Sequence, residues 1–142
     1  MAVVRGAGHL PDTTLQKIAA EINYSETTFV LSDEERNGGY DIRIFTPKEE
    51  VPFAGHPTLG TAYVIAREIL PHPVDRVTLN LKAGPILVTL GDVCWMRQQS
   101  PTFGDAFTTD RIPRVLSLKS ADLDERFPIQ EISTASRASW RR

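Results

Sequence analysis

A chain of 142 residues with a net charge of −2 is long enough for one domain with its own core. Its charge is too even for nucleic acid to be its main partner, since phosphate binding needs clustered Lys and Arg. One cysteine, Cys94, excludes a disulfide framework and a cysteine zinc site. No apolar run approaches the roughly 20 residues that span a bilayer. The last eleven residues hold three Arg and no acid, so residues 1–131 carry a net −5. Met1 to Arg5 contain no apolar h-region, which predicts no secretory signal and a soluble cytoplasmic protein.

Leu15, Ile18, Ala19 and Ile22 recur at helical spacing and predict the first helix. Asp12 or Thr13 can cap it, Thr13 with Gln16 fits a capping box, and Asn23 is a stop signal. Thr27 to Leu31 is β-branched and apolar and reads as a short buried strand. Asp33 to Gly39 is polar and closes in Asn37-Gly38-Gly39, a hairpin turn. Tyr40, Ile42 and Ile44 alternate with Asp41 and Arg43, the pattern of a half-buried strand. Thr46 to His56 reads as a loop.

Pro57 suits the first turn of a second helix, where its missing N–H would be unpaired anyway. Leu59, Ala62, Tyr63, Ala66, Ile69 and Leu70 supply the apolar face, and Pro71 and Pro73 end the helix. Val77 to Leu81, Ile86 to Leu90 and Val93 to Arg97 form a three-stranded meander, turned at Ala83-Gly84-Pro85 and Gly91-Asp92. Beyond Gln98 the expected elements are a Pro/Gly loop, a strand near Val115 to Leu118 and a last strand near Ile129 to Ser133. The fold class is α+β: a curved, mostly antiparallel sheet packed on a central helix at about Pro57–Leu70.

Common mechanistic motifs are absent. Gly6-Ala7-Gly8 opens like a dinucleotide fingerprint, but Pro11 stands where the next Gly belongs. Gly55 and Gly60 have a phosphate-loop step, but Thr61 replaces the lysine. His9, His56 and His72 lack ligand spacing, so no metal site is expected. Two stretches remain. In Asn23-Tyr24-Ser25-Glu26-Thr27-Thr28-Phe29 a carboxylate sits between a helix end and an apolar strand. Partial burial there suits Glu26 to carry protons near neutral pH, although the same pattern fits a surface turn. In Pro52-Phe53-Ala54-Gly55-His56-Pro57-Thr58-Leu59-Gly60 a helix begins, and its free N–H groups and dipole form a natural seat for a substrate carboxylate. His56 can hydrogen-bond the same ligand, and Gly60 permits close approach of backbone or ligand. A plain Pro-initiated helix fits this stretch equally well.

Ser25-Glu26-Thr27-Thr28-Phe29-Val30-Leu31, Arg43-Ile44-Phe45-Thr46-Pro47 and Glu50 through Ala62 resemble, in order and spacing, the PhzF-like family of phenazine-biosynthesis proteins. The resemblance runs from about Ala2 to Thr134. It implies a diaminopimelate epimerase-like fold, with two similar α+β lobes each curled around a central helix. It implies cofactor-free proton shuttling on a small carboxylate-bearing substrate, with Glu26 as the catalytic acid–base and His56 beside it. Gly55 and the amides around Pro57, Thr58 and Leu59 would hold the substrate carboxylate. Diaminopimelate epimerase uses a cysteine in each lobe; Cys94 lies in a strand-like stretch without a second cysteine and is expected to be a packing thiol.

The resemblance covers one lobe, residues 1–134, and omits an earlier strand and the second lobe that closes the pocket. Residues 135–142 are small and basic and depart from the family pattern, as a frameshift or early stop would leave them. A lone lobe would expose an apolar face, and a homodimer could cover it. The main reading is therefore an isomerase or epimerase lobe, with its activity doubtful without the second. The alternatives are a non-catalytic remnant or interaction module, and a binding domain built on the helix start at His56.

Overall fold

The computed structural model describes residues 1–108, 111–124 and 126–134; the basic segment at 135–142 lies outside them. Met1–Gln98 packs as one unit and a second begins at Gln99. In chain order the first unit comprises β1 (Ala2–Val4), a 3-10 turn (Ala7–His9), α1 (Asp12–Ile22), β2 (Thr27–Val30), β3 (Tyr40–Phe45), β4 (Glu50–Val51), α2 (Gly55–Glu68), β5 (Arg76–Leu81), β6 (Gly84–Thr89) and β7 (Trp95–Met96).

All seven strands join one sheet, in the order β1-β2-β3-β5-β6-β7 with β4 also on β3. β1 runs parallel to β2, and β3 parallel to β5; the other pairs are antiparallel. The hairpin turn forms as the sequence predicts. Asn37 and Gly38 both take positive φ (50° and 76°), and Arg36 and Gly39 exchange backbone hydrogen bonds across it.

Two apolar layers hold the sheet. On one face Val30, Ile42, Ile44, Leu79, Ile86 and Val88 pack with Ala62 and Ile65 of α2, all fully buried or nearly so. On the other, Phe29 and Phe45 meet edge to face, 5.4 Å between centroids, beneath Leu15 and Ala19 of α1. β2 is thus covered on both faces, which is why its four residues are all buried where a one-sided strand would alternate. The expected central helix is α2, although it starts two residues before Pro57 and ends at Glu68.

Local expectations fail where tertiary partners compete. The capping box of Thr13 and Gln16 does not form: Pro11 is the cap residue, with no side-chain bond. Gln16 Nε2 donates instead to Thr46 O (3.0 Å), and the Asp12 carboxylate takes Arg43 Nη1 (2.6 Å). Asn23 ends α1 as expected, in the left-handed conformation at φ 55°. The expected Thr46–His56 loop contains β4, because Thr46 Oγ1 accepts the Lys48 and Glu49 amides and folds the chain back on β3. The third meander strand shrinks to β7, leaving Cys94 ahead of it and partly exposed rather than buried in a strand.

In the second unit the expected loop holds β8 (Thr102–Ala106), paired antiparallel with β9 (Gln130–Ser133). Its Gly104 passes so close to Glu131 that an added Cβ would lie 2.8 Å from Oε2. The expected strand near Val115 is the end of α3 (Arg111–Leu116), where Pro113 fits the first turn and Ser117 turns the chain at φ 57°.

Charge is concentrated outside the core. Arg43 donates Nε and Nη2 to Glu50 (2.9 and 3.0 Å) and stacks over the Phe45 ring at 5.1 Å. Lys82 Nζ reaches Glu50 Oε2 at 3.4 Å. Hydrogen bonds from Arg43 hold the Glu50 carboxyl below its ordinary value of 4.5 and lower that of Asp12. Protonation therefore favours the unfolded chain: the Glu50 contribution is complete above its unfolded value and is lost as pH falls through the folded one. Arg43→Met is expected to cost about 1–3 kcal/mol at pH 7. In urea titrations the variant's midpoint should also fall less than the parent's between pH 5 and pH 3.

Candidate functional site

Glu26 stands at the entrance to β2. Its carbonyl accepts the Ala2 N–H (3.2 Å), which ties this point to β1. Side chains two apart share a strand face, and Val30 of β2 packs with Ala62 and Ile65 of α2. The Glu26 carboxylate accordingly lies on the α2 side. His56, the second residue of α2, meets it there: Nε2 lies 3.6 Å from Glu26 Oε2, too long for a hydrogen bond. The imidazole side chain is 59% exposed and the carboxylate side chain 22%, so the acid is shielded and the histidine faces solvent.

Glu26 Oε2 is buried and has no hydrogen-bond partner in the protein. An unpaired buried oxygen costs about 1–3 kcal/mol, and a ligand donor can remove that cost. The hydroxyls of Thr27, Thr28 and Thr61 are also buried without a partner. The sequence reading missed Thr28 and Thr61. Their signal was a threonine two residues past Glu26 and another on the buried stripe of α2, polar groups where apolar ones are expected.

The start of α2 is not capped by a side chain. Thr58 donates both Oγ1 (2.7 Å) and N–H (3.3 Å) to Ala54 O, and Pro57 has no N–H. Because the helix begins before Pro57, the amides left outside its ladder are those of Gly55 and His56. Thr58 is already engaged, Pro57 is buried, and Leu59 packs against the core. Gly60 accommodates the Met1 side chain: an added Cβ would lie 2.9 Å from its Sδ and Cε. Met96 Cε stands 3.6 Å from the Cβ position of Gly55.

Among the described residues no three His, Cys, Asp or Glu converge on a metal position. His9 Nδ1 lies 3.0 Å from Gly6 O, within the 3-10 turn. Among the same residues no helix is long and apolar enough to cross a membrane.

A sheet packed on a helix, with a shielded carboxylate and an imidazole meeting at the helix start, is a mixed α+β arrangement. The family model of phenazine biosynthesis-like proteins, PhzC-PhzF, matches residues 1–139, and the chain belongs to this family. It is 37% identical over 136 residues to the trans-2,3-dihydro-3-hydroxyanthranilate isomerase of Pseudomonas aeruginosa, covering 92% of this chain and 46% of that protein. The enzyme of the same name from Pseudomonas fluorescens is 39% identical over 137 residues, with the same coverage.

Among solved structures, a PhzF-family phenazine biosynthesis protein from Bacillus anthracis superposes with a TM-score of 0.72 at 32% identity. That match covers 90% of this chain and 44% of the other. A predicted epimerase from Pseudomonas aeruginosa gives 0.76 at 27% identity, covering 93% and 49%. The chain spans about half the length of the curated relatives it matches.

A Cβ on Gly55 makes one ordinary contact, with Met96. Gly55→Ala is therefore expected to change stability by no more than about 0.5 kcal/mol in thermal denaturation. A loss above about 1 kcal/mol would mean that this glycine serves the backbone rather than a ligand.

Proposed function

We propose that the chain is the amino-terminal lobe of a PhzF-like isomerase, which moves a proton without a cofactor on a small carboxylate-bearing substrate. One observation carries this reading: Glu26 Oε2 is buried, accepts no hydrogen bond and lies 3.6 Å from the His56 imidazole, at the start of the central helix. Glu26 takes a proton from one atom of the substrate and returns it to another. His56 sits where it can hydrogen-bond the substrate or steady the Glu26 carboxyl group. The substrate carboxylate rests on the amides of Gly55 and His56 at the positive end of α2, and Pro57, Thr58 and Leu59 hold the turn that presents them. Enolate charge developing near the same end is stabilised electrostatically. The chemistry belongs to the cytoplasm, where a biosynthetic isomerase meets its substrate.

The names of the Pseudomonas relatives supply the substrate to try first, trans-2,3-dihydro-3-hydroxyanthranilate or a close analogue. In deuterium oxide the chain should incorporate label into such an acid. Glu26→Gln should lower the rate by about 100-fold to 10,000-fold and His56→Ala by less. Equal incorporation by the parent and Glu26→Gln would sink the assignment.

A homodimer is part of the same proposal. Two copies related by a twofold axis would set one Glu26 opposite the other and shield both from water, as a proton shuttle requires. Light scattering of the purified chain should give twice the monomer mass; a monodisperse monomer rules the dimer out.

A further inference from the structure

At the far end of α2, roughly 16 Å along the axis from His56, the chain closes around a second concavity. Leu70 N–H returns to Ile65 O (3.0 Å), and Pro71-His72-Pro73 turns the backbone toward β5. Between this turn, the last turns of α2 and the end of β6 lies a cavity of about 500 Å3. That is within the range of small-molecule sites, about 300–1,000 Å3. Ala66, Leu70 and Leu90 give it an apolar floor, Val74 stands exposed on its wall, and neither Glu26 nor His56 lines it.

The rim carries the polar chemistry. Arg67 stacks its guanidinium over Tyr63, 5.3 Å from the ring centroid, so the ring fixes the plane of the cation. Among the described residues no carboxylate pairs with Arg67, as is also true of Arg36 and Arg97, whereas Arg5, Arg43, Arg76 and Arg126 are paired. Stacking occupies one face of a guanidinium and leaves its N–H edges free for a planar carboxylate. The negative end of α2 is blunted nearby, because Arg5 Nη1 takes the Glu68 carbonyl (3.2 Å). The Asp75 carboxylate lies 3.8 Å from Arg76 Nε.

We propose that this cavity binds a small aromatic monocarboxylic acid, its ring on the Leu70 and Leu90 floor and its carboxylate on the edge of Arg67. The site is separate from the one at Glu26 and does not depend on the isomerase reading. The probe is benzoate, titrated into the 15N-labelled chain and followed by two-dimensional NMR, with benzamide as the uncharged control. Benzoate should shift the amides of Arg67, Leu70, Leu90 and Gly91 saturably, and benzamide should bind more weakly. Arg67→Gln should weaken benzoate about tenfold or more. Val74→Trp, at an exposed position on the wall, should block binding while Arg67 stays in place. Both variants must keep the parent's dispersed spectrum elsewhere. Absence of a saturable shift, shifts confined to Gly55 and His56, or parental affinity in a folded Arg67→Gln chain would each overturn the proposal.

Discussion

Everything at the candidate site depends on β2 being sandwiched between two helices. α2 covers one face of this strand and α1 the other, so none of its four side chains can reach water. Within the strand the only polar groups are the buried hydroxyls of Thr27 and Thr28, and the first charged side chain stands at its end, Glu26. The same packing brings the first turn of α2 against that end, which is how His56 arrives beside a carboxylate thirty positions earlier in the chain. The burial of Phe29, Val30, Ala62 and Ile65 is therefore also the positioning energy of the site, at about 1.5–3 kcal/mol for each large side chain removed from water.

The charged groups divide into those that brace the lobe and those left free. Arg43 ties α1 to β4 through Asp12 and Glu50, and Arg5 joins Asp33 to the carbonyl end of α2. These pairs lock elements together outside the core, where water lowers the cost of holding charge. Glu26, by contrast, has a buried oxygen that accepts no hydrogen bond among the described residues and has only the His56 imidazole nearby, at 3.6 Å. A bracing carboxylate is surrounded by donors, as Glu50 is. A carboxylate kept short of donors has capacity left for something that binds.

Much of the lobe was legible because its signals are local. Alternation at Tyr40, Ile42 and Ile44, the Asn37-Gly38 turn and the proline-bounded helix each report backbone geometry within a few residues. Glu26 and His56 were legible through motif resemblance, whereas physical reading alone left each with a bland alternative. The failures have different causes. The box of Thr13 and Gln16 lost to partners on β3 and the following turn, and β8 exists because β9, far along the chain, accepts it. Periodicity does not record such pairings. β4 comes from the local turn at Thr46, and the Val115 segment carries a strand-like composition but ends a short helix.

The sequence by itself determined the α+β class, the order of the main elements, the hairpin and its left-handed turn, and which two side chains to watch. Those follow from hydrophobic period, glycine and proline geometry, and a run of matching motifs. Only the tertiary structure decided that the Glu26 oxygen is buried without a donor, that α2 begins at Gly55, two residues before Pro57, and that Arg67 stands without a carboxylate partner beside an apolar cavity. The physical reason is that burial and pairing are properties of packed neighbours. A side chain's partner is settled by which helix lies on which strand, and the length of the sequence between them leaves no trace of it.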